Sequence, residues 1–179
     1  MVPQQSSILH FQFPLFDVKR VYDVPKGYVF YGDPAPENAV PGLTENTSKD
    51  REIAYVSKGS WRIDTRLHPE GGFDVIAGEG LWPDRWNSCI RFTATGDVNG
   101  WVCIMVKDGF TIWNRSLAKI HDGDSLTFDV SDKDQYVFVV EGNVKTNLYH
   151  NKNEMIKIPT NTQPTLTAQG EVVLIRLWR

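Results

Sequence analysis

The sequence predicts an all-β chain, built as a two-sheet sandwich or barrel with an N-terminal arm. Three observations carry this. No window of ten or more residues keeps a helical period. Short runs rich in Val, Ile, Thr and aromatic residues recur, divided by Gly, Pro, Asn and Asp, the pattern of many short strands joined by turns. The run Tyr136-Val137-Phe138-Val139-Val140 is apolar at every position, and a strand covered on both faces is what rewards such a run.

Taken in order, residues 1–16 read as an arm: Ile8-Leu9-His10-Phe11-Gln12-Phe13, closed by Pro14, needs this subunit or a neighbour to bury it. A single domain is expected over 17–179. Strands at 18–24 and 28–31 flank Pro25-Lys26-Gly27. Residues 32–50 form a long Pro- and Gly-bearing loop, a length associated with function or an interface. A strand at 53–56 is followed by one at 61–67. In the second, Trp61, Ile63, Thr65 and Leu67 share one face, and Arg62, Asp64 and Arg66 the other. A short strand follows at 73–77. Strands at 89–95 and 101–107 are expected to pair as a hairpin through Asn99-Gly100. Asp108-Gly109 turns into 110–113, and Gly123-Asp124 leads into 125–130. Gly142-Asn143 is read as the turn that returns the 136–142 strand into 144–149. Strands at 155–158 and 172–178 close the chain.

Bulk properties narrow the function. An apolar share of 41% and an aromatic share of 12% are those of a globular chain. With a net charge of −3 and no cluster of Lys or Arg, no nucleic-acid partner is expected. The apolar runs are too short for a membrane helix. The start MVPQQSSILHFQF lacks the features of a signal peptide, so the expected location is the cytoplasm or a particle assembled inside the cell. Cys89 and Cys103 are then expected as buried free thiols. The sequons at Asn46 and Asn114 are expected to carry no glycan.

Over residues 117–179 the sequence resembles the cupin, or RmlC-like, jelly-roll barrel. His121-Asp122-Gly123-Asp124 followed by Leu126-Thr127-Phe128 is similar to a strand entry of that barrel. The segment Tyr136 to Gly142 resembles the strand and glycine that end its first motif. Ile156-Lys157-Ile158-Pro159 with Thr165-Leu166-Thr167-Ala168 resembles the second motif, and the ending VVLIRLWR resembles the closing strand. Metal cupins carry two histidines and a glutamate in the first motif and a histidine in the second. Here the glutamate slot falls on Gln135, the histidine slots among 128–131, and the second-motif slot near Pro164. The four histidines, His10, His68, His121 and His150, lie in distant segments. The resemblance therefore implies a cupin-like barrel with no metal triad and no cofactor.

Other residues offer chemistry. Asp122, Asp124, Asp129, Asp132 and Asp134 are oxygen donors, but their spacing is not that of an EF-hand and turn capping accounts for them. Gly71-Gly72 and Gly78-Glu79-Gly80 lack the Lys-Ser/Thr of a phosphate loop. Glu70, Asp74, Glu79 and Asp84 are the carboxylates that could supply an acid/base pair, and His68 is the best single general-base candidate; all read as surface or loop residues and give no catalytic signature. Trp82, Arg85 and Trp86 combine ring faces with a polar fork, which suits a ligand, an interface or a barrel cap. The sequence reading favours a non-enzymatic assembly module, a homo-oligomer or part of a larger assembly, of the viral-particle type by analogy of fold. The alternative is a metal-independent cupin-like small-ligand protein, such as a sugar isomerase, epimerase or carbohydrate binder.

Overall fold

A computed structural model describes residues 8–31, 52–65, 71–81, 89–107 and 113–179. The described residues hold strands and their connections. They fall into two compact units, Met1–Gly109 and Phe110–Arg179. No linker composition marks that division, and the expectation of one domain over 17–179 rests on that uniformity.

Unit 1 contains β1 (Ile8–Gln12), β2 (Phe16–Pro25), β3 (Val29–Tyr31), β4 (Glu52–Lys58), β5 (Ser60–Thr65), β6 (Phe73–Ile76), β7 (Gly80–Leu81), β8 (Cys89–Ala94) and β9 (Val98–Val106). One sheet has the order β1-β2-β9-β4-β7 and the other β3-β8-β5-β6. Val21, Val24, Ala54, Val56, Trp101 and Cys103 of the first sheet meet Trp61, Ile63, Val75, Phe92 and Ala94 of the second in one core. Edge-to-face aromatic packing organises that core: Trp101 stands 6.0 Å from Trp61 and 5.7 Å from Phe92 between ring centroids. Each such buried ring contributes on the order of 2 kcal/mol by area alone. The alternation expected in β5 holds. Trp61 and Ile63 are buried, while Arg62 pairs with Asp74 and Asp64 with Arg91 on the wet face. Cys103 is buried and forms no disulfide.

Within residues 1–16, read as an arm that this subunit or a neighbour buries, residues 8–12 form β1, and Ile8 through Gln12 pair with Val21 through Asp17 of the same chain. One sequence expectation is corrected here. The hairpin expected at Asn99-Gly100 does not form: β8 pairs with β3 and β5, whereas β9 pairs with β2 and β4 in the other sheet. Asn99 is fully buried. Its Oδ1 accepts from the Ser60 and Gly96 amides, and its Nδ2 donates to the Gly96 and Val24 carbonyls. Gly100 is small because a Cβ there would stand 2.6 Å from Ser57 Oγ. The dipeptide thus plugs a strand entry, using the hydrogen-bonding reach of Asn and the bareness of Gly. The arm residues 1–7, the loop 32–50 and the strand expected at 110–113 lie wholly or mainly outside the described residues.

Unit 2 contains β10 (Asn114–Ile120), β11 (Ser125–Thr127), β12 (Gln135–Lys145), β13 (Tyr149–His150), β14 (Met155–Ile158) and β15 (Thr165–Trp178). Its axis is the long antiparallel pair β12 and β15. Each partner strand takes only half of that pair. β10 covers Val172 to Trp178 and β14 covers Gln135 to Phe138 at one end. β11 covers Thr165 to Thr167, and β13 covers Val144 and Lys145, at the other. The pair bends between these halves, where β12 has register shifts on both sides of Glu141. Gly142 (φ 79°) and Gly170 (φ 87°) sit at the bend in the left-handed region, which favours glycine. The sheet thereby rolls over one core, with Val137, Val139, Val144, Leu166, Ala168 and Leu174 inside together with Phe128. Val137, Phe138, Val139 and Val140 are all fully buried, as the apolar run predicts.

Gly142 therefore marks a bulge within β12, not the hairpin turn expected there; the return to β13 is made by Thr146 to Leu148. Turn and bulge make the same demand on φ, so the local sequence does not separate them. The two glycines also make a graded prediction. A Cβ at Gly170 meets nothing within 4 Å, whereas one at Gly142 would stand 2.3 Å from the Glu171 carbonyl oxygen. In urea unfolding, Gly170→Ala should cost about 1 kcal/mol and Gly142→Ala about 3 kcal/mol. Equal costs would show that the bend is not held at Gly142.

Candidate functional site

The inner face of the rolled sheet turns polar at one end. Strand alternation places Gln135 on the same face as the core residues Val137 and Val139, and Arg176 and Trp178 on the same face as Val172 and Leu174. Pairing agrees: Arg176 lies directly opposite Val137 and Ser116, and Gln135 opposite Trp178 and Ile158. Opposed residues bring their Cβ atoms to about 5 Å, and diagonal neighbours such as Gln135 and Arg176 to about 7–8 Å. Phe128 closes this end from the other half of the roll. Its amide donates to the Pro164 carbonyl, and its ring lies 4.8 Å from the Arg176 guanidinium carbon. Trp178 flanks the same guanidinium at 5.8 Å. The Gln135 amide nitrogen donates to the Asp129 carbonyl, and the Asn161 amide donates to the Ser131 carbonyl.

These are the slots that the cupin resemblance marks for metal ligands. The fold brings 128–131, Gln135 and Pro164 to one end of the roll, as that resemblance implies, but their chemistry does not fit a transition metal. A phenyl ring offers no donor, the Asp129 carboxylate is exposed and is a single anionic donor, a carboxamide is a weak neutral one, and a guanidinium beside them repels a divalent cation. Among the described residues no three His, Cys, Asp or Glu side chains converge on a metal position.

Arg176 was missed by sequence reasoning, as were Ser116 and Trp178. The available signal was a charged residue inside an otherwise apolar strand, a place where charge is rare. His68, Glu70, Trp82, Arg85 and Trp86 lie outside the described residues.

Other polar contacts lie in unit 2. Thr146 Oγ1 stands 3.2 Å from His150 Nε2, and His150 Nδ1 stands 3.4 Å from Glu154 Oε2. The order hydroxyl, imidazole, carboxylate is that of a nucleophile relay. Thr146 Oγ1, however, also accepts from the Leu148 amide and is built into the β12–β13 turn. Asp122 serves as a cap, its Oδ1 accepting from the Gly170 amide, and Asp134 faces Lys157, so two of the aspartates weighed as calcium donors are accounted for. In unit 1, burial pushes the Tyr28 hydroxyl up to about 12.

The chain has a cupin-like fold. It is similar to YhaK from Escherichia coli, with a TM-score of 0.62 and 9% identity over 98% of this chain and 95% of that one. It is similar to quercetin 2,3-dioxygenase from Acinetobacter baumannii, with a TM-score of 0.52 and 12% identity over 97% and 74%. The pirin YhhW from Escherichia coli, solved with nickel(II), follows at 0.50 and 11% over 90% and 80%. At these identities the likeness is one of fold. No protein-family model and no curated protein sequence matches the chain.

His121 gives the pH prediction. Its Nδ1 lies 3.0 and 2.8 Å from the two Glu171 carboxylate oxygens. The hydrogen bond to Glu171, then that residue's charge, and in smaller part the charge of Asp124, raise the imidazole above its usual 6.5. A raised folded-state value stabilises the fold where the ring is protonated. That contribution is complete below the unfolded value and is lost as pH rises through the folded one. An NMR titration should place His121 above 6.5, and Glu171→Gln should bring it down. An unchanged titration in the variant would remove Glu171 as the cause.

Proposed function

We propose that this chain is a cupin-like small-ligand protein whose ligand is held at the polar end of the unit 2 roll without a metal ion. The observation that carries the proposal is the Arg176 guanidinium, standing on the inner face between Phe128 and Trp178. It occupies the end of the roll to which the cupin resemblance assigns metal ligands. A fixed organic cation there supplies positive charge without the geometry or redox chemistry of a metal. The solved structures of similar fold include a dioxygenase and a pirin bound to nickel(II), so ligand binding within this fold is the closer analogy. The assembly reading depended on residues 1–16, 32–50 and 82–86, which lie mainly outside the described residues.

The test is an amide-shift map of the full chain against a set of neutral, cationic and anionic fragments. Binders should concentrate their shifts on Ser116, Phe128, Gln135, Arg176 and Trp178. Shifts that fall in unit 1 alone, or none at all, would reject the proposal.

A further inference from the structure

Arg176 holds donors that the protein itself does not use. Its Nε is buried with no hydrogen-bond partner, and it forms no ion pair with a carboxylate among the described residues. A buried N–H left unmatched costs stability, and charged donors cost more. Its neighbours do not satisfy it. Phe128 and Trp178 present ring faces, Ser116 is directly opposite, and the Gln135 amide nitrogen is committed to the Asp129 carbonyl. Cation–π contact holds the guanidinium plane in position without engaging the N–H groups at its rim. Only Nε of its three nitrogens is sealed off, so the fork of Nη1 and Nη2 is the reachable edge.

We infer that Arg176 recognises the carboxylate of a small organic acid, bound end-on by Nη1 and Nη2, with the body of the acid lying against Trp178. This rests on the small-ligand reading above and adds the ligand class. A planar carboxylate matches the guanidinium fork with two parallel hydrogen bonds. Its single charge matches the single cation, since Ser116 and Gln135 are neutral. A phosphate dianion would need a second cation, and the described inner end supplies none. The half-buried Trp178 ring offers apolar surface to the rest of such a ligand.

The experiment titrates the full chain with benzoate, with its neutral isostere benzamide, and with inorganic phosphate. It follows the Arg176 Nε–H and the Trp178 indole N–H by NMR. Benzoate should move both resonances saturably and in one binding event. Benzamide and phosphate should bind at least roughly tenfold more weakly. Arg176→Gln should weaken benzoate by a similar factor, and Arg176→Lys, which keeps the charge but loses the fork, should weaken it too. The wild-type comparison of benzoate with benzamide needs no variant, so a poorly folded Arg176→Gln leaves the test intact. If benzamide binds as well as benzoate at these residues, the carboxylate assignment fails while the small-ligand reading stands. Phosphate binding tighter than benzoate overturns the assignment in favour of a multiply charged anion. If fragments bind elsewhere and none of the three probes moves either resonance, both fail.

Discussion

The structure of unit 2 depends on the bend shared by β12 and β15. Without it the two strands would form one long flat ribbon, with the apolar faces of β12, β14 and β15 exposed. The bend folds that ribbon over itself, so that Leu166, Ala168 and Val144 of one half meet Leu174, Val139 and Val137 of the other. It is made where Gly142 and Gly170 take positive φ and where the Glu171 carbonyl leaves no room for a side chain on Gly142. β10, β11, β13 and β14 then need only be short, since each extends one half of the roll.

The roll also creates the polar end. Phe128 follows β11, in one half, and Arg176 lies in β15 of the other, yet they meet at 4.8 Å. The closure that buries the core therefore delivers an aromatic ring onto a guanidinium. The cation is held by π faces, and its buried Nε finds no hydrogen-bond partner in the protein. Where the cupin resemblance leads one to look for imidazoles around a metal, this chain places a ring, a carboxamide and an arginine.

Much of this was legible in the residues. The five-residue apolar run of β12 announced a strand with two covered faces, and the alternation of β5 announced which side was wet. The cupin resemblance named Gln135 and the 128–131 segment, which the fold does bring together. What was not legible depends on distant partners. Asn99-Gly100 carries a hairpin signature, but its Asn reaches Ser60, Gly96 and Val24, and no local pattern states that. Gly142-Asn143 satisfies a turn and a bulge equally. β10, with its mixed sequence Asn114 to Ile120, is a strand because β15 offers it an edge. Arg176 was hidden because VVLIRLW reads as apolar on both faces, and its inward direction follows only from the register against Val137.

The meeting of Phe128 with Arg176 tests the account most directly, because the roll, the polar end and the exposed guanidinium fork all require it. Nuclear Overhauser contacts from the Phe128 ring to the Arg176 side chain should appear in the full chain, with the arginine δ protons displaced upfield by ring current. An Arg176 side chain at ordinary shifts with no contact to Phe128 would mean that the sheet does not close as described.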